Sequence, residues 1–240
     1  MYRSTRRPSA RRVRLEVPLS FPARVVLSGF LILSAGLVFV PASRAAEIAA
    51  LEAKSMATAK IGAVEKIRGE ASAYYKASLR QLVGGGGVLF EDTLRTGDKT
   101  RLLVDFVDGS KLSLGDNSEL LIDEMIYDPG KKGKGALRLA KGVFRFVTGQ
   151  INKVPGGQLV LSTPVATIGI RGTDFWGEQT DTRLTMALLD SGELTIATPN
   201  GTVTLTQPLS AVTIERGQAP GAVFTLTPAQ LQAAAGTVAW

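Results

Sequence analysis

The sequence predicts a mostly β chain. It reads as short strands wound as a solenoid-like roll, with a β-sandwich as the second architecture and short helices only at the ends. Three observations carry this. Apolar residues alternate with polar ones over runs of four to seven residues. The runs recur roughly every 8–13 residues, separated by Gly, Asn and Asp turn chemistry. Between them no stretch has helical spacing of useful length, which disfavours alternating α/β winding.

Ala46–Ala59 holds helix formers with loose apolar spacing and reads as a helical or frayed lead-in, assigned to residues 46–60. The β texture begins at Ile61–Ile67, and Gly84–Gly87 reads as a flexible break. Arg101–Val107 enters the turn dipeptide Asp108-Gly109, and Lys111–Leu114 alternates after it. Gly115–Ser118 turns again before Glu119–Asp123. Further strands are expected at Ala136–Ala140, Val143–Val147, Leu159–Ser162, Val165–Ile170 and Arg183–Leu189. Glu193–Ala197, Thr202–Thr206 and Val223–Leu226 complete the set. The β region therefore spans 61–226. Residues 227–240 form a tail whose helix starts at Pro228 and stops at Gly236.

Residues 1–45 hold eight Lys/Arg and one Asp/Glu, which accounts for the entire +7 charge. Val25–Val40 is sixteen residues without a charge, followed by Pro41-Ala42-Ser43-Arg44-Ala45-Ala46. A basic start, an apolar core and small residues at the end describe an export signal cut between Ala45 and Ala46. Sixteen residues would span only about 24 Å as a helix, against roughly 30 Å of hydrocarbon, so cleavage is expected over an uncleaved anchor. From Ala46 onward 20 basic residues balance 20 acidic ones, and the high pI gives no reason to expect nucleic acid. Gly130–Gly135, with its three lysines, reads as a solvated turn.

Cysteine and histidine are absent. The first removes disulfide staples. The second removes Ser-His and Cys-His nucleophile systems and the usual zinc sites. The expectation is a protein that is not an enzyme and uses no metal or cofactor. Asp105, Asp108, Asp116, Asp123, Glu124 and Asp128 are read as solvated turn carboxylates, lacking the oxygen-dense loop of a calcium site.

Three ordered segments carry a resemblance: Asp105–Leu120 with Asp108-Gly109-Ser110 and Asn117-Ser118, Lys141–Gly149 with Gly142, Phe144, Arg145 and Gly149, and Thr163–Phe175. The last contains Thr163, Pro164, Gly169, Arg171, Gly172 and Thr173. Together they resemble the periplasmic FecR domain over about Gly84 to Trp176. The resemblance implies a β-rich, solenoid-like domain in which these residues are structural. The family's best-known members pass an iron-uptake signal across the inner membrane to a sigma factor. They carry a helical anti-sigma domain before the membrane segment, whereas only 24 arginine-rich residues precede Val25 here. The expected role is therefore an exported binding or scaffold protein of the envelope, periplasmic or secreted, with an envelope protein or cell-wall glycan as partner. The alternative is an inner-membrane-anchored sensor, held by residues 25–40 and acting through a separate cytoplasmic partner.

Arg171, Asp174 and Trp176 are the candidate ligand contacts. Against that role, Arg171 is expected to satisfy carbonyls or a carboxylate inside the β stack, with Gly169 and Gly172 holding the backbone close. Of the adjacent aromatics, Phe175 is assigned to the core and Trp176 to the surface, since neighbours on a strand face opposite sides.

Overall fold

The computed structural model describes residues 59–76 and 78–240. The expected export signal, its expected Ala45/Ala46 cut, the apolar run 25–40 and nearly all of the lead-in lie outside the described residues.

The described chain is mostly β, as its alternation requires. All strands connect into one open, mixed sheet made of two ladders that share a single long strand. Ladder A runs, neighbour by neighbour, β4 (Gly87–Leu89), β1 (Lys60–Arg68), β6 (Arg101–Phe106), β7 (Lys111–Leu114), the C-terminal half of β9 (Lys132–Val147), β12 (Asp174–Gln179), β13 (Arg183–Leu188), β16 (Ser210–Glu215) and β17 (Phe224–Thr225). Ladder B runs β3 (Ser78–Gln81), β2 (Ala71–Tyr75), β5 (Thr93–Thr96), β8 (Glu119–Asp128), the N-terminal half of β9, β10 (Gln158–Ser162), β11 (Thr167–Arg171), β14 (Glu193–Thr198) and β15 (Gly201–Leu205). Successive hairpins alternate between ladders, so the chain winds as a two-layered roll. Every pairing is antiparallel except β9 with β10, which a crossover containing a 3₁₀ turn (Ile151–Lys153) makes parallel.

Side chains from both ladders meet in one apolar cluster, from Ile61 and Val64 through Leu94, Leu112, Leu120 and Leu137 to Leu194 and Ile214. Phe144, Phe146 and Phe175 are almost fully buried at its centre, with ring centroids 5.8 Å apart along the chain of contacts. Each such burial is worth about 2–3 kcal/mol.

The sequence suggests two strands separated by Lys141-Gly142, but β9 is continuous. Its inward residues are odd-numbered up to Leu139 and even-numbered from Phe144. The pairing with β8 shifts register at the same place, where Glu119 faces Lys141 and Leu120 faces Leu139. This bulge moves the apolar face by one residue, so β9 stays inward-facing as it passes from ladder B to ladder A. Gly87 opens β4 and is no part of a break. Val165 and Ala166 belong to the turn before β11. Lys132–Gly135 belongs to β9, so only the part of the basic run up to Lys131 turns. Gly133 is buried there because the crossover passes over it: an added Cβ would lie 2.2 Å from the Ile151 carbonyl.

The C-terminal α1 (Pro228–Gly236) has the expected proline start, and Thr227 and Gln230 form a reciprocal cap. Its end is at Thr237 with φ −70°, so Gly236 lies inside the helix and is no stop. The helix lies on the outer face of ladder A, where Ala234, Leu226 and Val238 bury Trp176, Ala187 and Ala211. Trp176 is thus covered, against the surface position read from the sequence, and its Nε1 donates to Thr237 Oγ1 at 3.0 Å. Among the described residues no helix is long and apolar enough to cross a membrane.

Candidate functional site

The motif residues gather around β9 in four polar knots. The first is Asp108-Gly109-Ser110, the turn between β6 and β7, which lies against the chain leaving β9. Asp108 is 2% exposed and not solvated. Its carboxylate accepts the Ser110 N–H at 3.0 Å, the Ser110 hydroxyl at 2.7 Å and the Ile151 N–H at 3.0 Å. Its carbonyl accepts the Gln150 N–H, and Ser110 Oγ accepts the Gly149 N–H at 2.8 Å. A side chain at Gly149 would strike the Asp108 carbonyl at 2.3 Å, so only glycine lets the two segments close. Two of these bonds close the turn, and three fix the start of the crossover to it across about 40 residues.

The second knot holds the point where β9 changes ladder. Ser118 Oγ accepts the Val143 N–H at 3.0 Å and lies 3.1 Å from the carbonyls of Val143 and Gly115. Thr96 Oγ1 donates to the Gly115 carbonyl at 2.6 Å and accepts the Ser118 N–H at 2.9 Å. Asn117 takes φ +50° in this turn, which asparagine tolerates better than most residues. Gly142 has φ +103°, and a Cβ there would lie 2.4 Å from Ser118 Cα.

The third knot joins β9 to β12. The Thr173 N–H donates to Thr148 Oγ1 at 2.6 Å, and the Thr173 carbonyl accepts the Thr148 N–H at 3.0 Å. Beside them Arg145 donates from Nε at 2.9 Å and Nη2 at 2.5 Å to the two oxygens of Asp174. That hydrogen bonding raises the Arg145 pKa above its ordinary value. Asp174 therefore pairs with Arg145 and not with Arg171. In the fourth, Thr163 Oγ1 accepts the N–H groups of Val165 and Ala166 at 3.1 and 3.0 Å, which fixes the Thr163-Pro164 turn into β11.

The remaining carboxylates read as solvated sit in surface ion pairs: Asp105 with Lys111, Asp116 with Arg101, Asp123 with Arg138, Glu124 with Lys134 and Asp128 with Lys131. Lys111 also meets Glu65, and its pKa is raised by Asp105 first and Glu65 second.

Arg171 stands apart from all of these. Its neighbours Ile168 and Ile170 point inward, so alternation turns it out on ladder B, with its side chain 83% exposed. Its cross-strand neighbour Glu193 approaches only to 3.8 Å. The interior role expected for Arg171 is therefore corrected. Gly169, beside it, has nothing closer to an added Cβ than 3.9 Å, so no close approach explains it. Gly172 does take φ +51° but faces open space.

These glycines leave hollows on both sides of the guanidinium. One, of about 480 Å³, is lined by Gly156, Gln158, Val160, Gly169, Arg171 and Thr195. The other, of about 430 Å³, is lined by Asn152, Lys153, Gly157, Arg171 and Gly172. Asn152 donates Nδ2 to the Ile170 carbonyl at 2.9 Å, and its Oδ1 has no partner. Two cations, Arg171 and Lys153, and the carboxylate of Glu193 thus border a shallow, side-chain-poor surface, while Asn152 Oδ1 is buried beneath it. Of the three sequence candidates Arg171 alone is largely exposed.

Sequence reasoning missed Thr96 and Thr148, whose hydroxyls complete two knots. Nothing local marks them, since each bonds to a residue at least 19 positions away. It also missed a groove of about 360 Å³ between α1 and ladder A, bordered by Trp176, Arg183, Phe224 and Gln230.

The FecR protein family model matches residues 92–192, the stretch that holds all four knots. Over that stretch the chain is similar to the FecR protein family. Two crystal structures of a candidate anti-sigma factor from Parabacteroides distasonis are similar to this chain at 14% identity, with TM-scores of 0.45 and 0.44. The similarity covers 56% of this chain and 59% of that one, so it spans about three fifths of the other protein's length. No curated protein matches the sequence. The matched stretch begins at the buried Asp92 and ends in the β13–β14 turn, with β15 to α1 beyond it.

Proposed function

We propose that this chain is an exported, non-catalytic binding module of the cell envelope. Its contact face is the outer surface of ladder B around Arg171. One observation carries the reading. Asp108, Ser110, Ser118, Arg145, Thr148, Thr163, Thr173 and Asp174 of the motif segments are engaged within the fold, whereas Arg171 is 83% exposed, meets only Glu193 at 3.8 Å and borders two hollows. An arginine fork with a nearby lysine suits a carboxylate or phosphate on a glycan or protein partner. Similarity to the FecR family supports a place in envelope signalling, with this face as the receiving surface. Absence of histidine and cysteine supports a binding role over a catalytic one.

The apolar run Val25–Val40 supports a second arrangement, in which the same face is presented by a membrane-anchored sensor. Intact mass of the exported protein separates the two, since cleavage after Ala45 removes the anchor.

The contact face is tested by placing a photo-crosslinking residue at position 171 in cells, with position 185 on ladder A as control. Adducts at 171 that exceed those at 185, carrying either glycan or one protein, are expected. Equal labelling at the two positions would refute the assignment.

A further inference from the structure

A β ladder ends in unpaired N–H and C=O groups, and folded proteins guard such edges with short strands, charges or covering segments. The two ladders have four ends among the described residues, and three of them are guarded. β4 has three residues, and the Gly87 carbonyl accepts a hydrogen bond from Arg80 Nη1 at 3.2 Å. β3 has four residues and directs the charged Arg80 toward the fully buried Asp92. β17 has two residues and runs straight into the Thr227 cap of α1.

β15 is different. Its five residues, Gly201-Thr202-Val203-Thr204-Leu205, pair with β14 in unbroken register and hold no charge and no proline. Leu205 is buried and Val203 packs partly against the core, while Thr202 and Thr204 are exposed. The strand is also self-complementary. Read outward from Val203 it gives threonine in both directions.

We propose that β15 pairs antiparallel with β15 of a second copy of this chain, with Val203 on the two-fold axis. Thr202 of each copy then faces Thr204 of the other, and the two valines face each other. Threonine pairs of this kind are favourable across strands, and an uncharged edge meets its own copy without repulsion. The pairing is isologous and closes as a dimer, so it does not propagate into a fibre. Both copies of ladder B become one continuous sheet, and the last unguarded edge disappears. This inference stands independently of the role of Arg171.

The test is the mass of the full chain in detergent-containing buffer, measured by light scattering after size exclusion. A dimer is expected at concentrations up to about 100 μM. Thr202→Lys/Thr204→Lys puts like charges opposite each other, as does Thr202→Glu/Thr204→Glu. Each should weaken dimerisation by about tenfold or more, with an unchanged melting curve at dilutions where the wild type is monomeric and both side chains are exposed. Mixing the two variants should restore the dimer as a mixed pair. A wild-type monomer at every concentration overturns the proposal. So does a dimer that the lysine pair leaves intact, or a failure of the mixed variants to recover it.

Discussion

Asp108→Ala tests whether the FecR motif holds the fold together or serves a ligand. The carboxylate it removes is the sole side-chain acceptor for the Ser110 and Ile151 N–H groups, and it also receives the Ser110 hydroxyl. The hydroxyl can rotate to another acceptor, but the two backbone donors cannot move without opening the crossover. A buried unsatisfied donor costs about 1–3 kcal/mol, so two give about 2–6 kcal/mol, with roughly 4 as the central expectation. Equilibrium urea unfolding measures this directly. With a slope of about 2–3 kcal/mol/M, the midpoint should fall by about 1.3–2 M while the slope stays constant. Ser110→Ala should cost about 1–2 kcal/mol through the lost Gly149 contact. The two losses should be less than additive, because the residues share one network. A midpoint shift for Asp108→Ala worth under about 1 kcal/mol would refute the reasoning and leave the motif without a structural explanation.

Three further outcomes follow from the same geometry. Gly142→Ala must adopt φ +103° and push against the Ser118 backbone, and should cost about 2–4 kcal/mol in thermal or urea unfolding. Arg171→Ala should melt within about 0.5 kcal/mol of wild type, whereas Arg145→Ala, which breaks the two-pronged Asp174 contact, should lose about 1 kcal/mol. Lys111 has a pKa raised above 10.5, so its two ion pairs stabilise the fold below that value and lose their effect as pH rises through the folded pKa. Being exposed and screened, they are worth a few tenths of a kcal/mol, and a Lys111→Gln variant should differ from wild type in melts at pH 7 but converge with it near pH 11.

What the sequence reveals and what it hides follow the range of the forces involved. Alternation in Lys111–Leu114 or Arg183–Leu188 is a local consequence of one face meeting the core, and those strands are legible. Residues 71–81 and 210–215 lack a clean alternation or turn frame; β2 and β16 are held by pairing with β5 and β13, and β3 by its hairpin with β2. Lys141-Gly142 looks like a stop because lysine and a glycine interrupt the apolar pattern. The same interruption serves as a bulge because β8 and β12 are there to pair on either side. Trp176 was legible as opposite to Phe175, but its cover comes from α1, some fifty residues onward. Asp108 shows the same limit: its turn is local, while its burial comes from the crossover at Gly149–Ile151. Arg171 is the instructive exception. Counting outward from Ile168 and Ile170 puts it on the solvent side, so alternation was the better guide than the apolar character of its neighbours.

The placement of these residues also explains why a chain can carry the FecR pattern clearly without disclosing a ligand. A roll that passes one strand between two ladders must bend sharply at the passage and again at the crossover. Those bends lie against a dry core, where each backbone N–H needs an acceptor. Asp108, Ser110, Ser118, Thr148 and Thr163 supply them, and Gly142 and Gly149 give the room to do so. Polar residues fixed by that requirement cannot also vary to suit a partner. The recognition surfaces proposed above, the exposed Arg171 and the open strand β15, lie outside that requirement. A change of partner could then be accommodated at these surfaces with the knots intact, and variants at Arg171 or Thr204 should alter association while leaving the monomer's unfolding midpoint where it was.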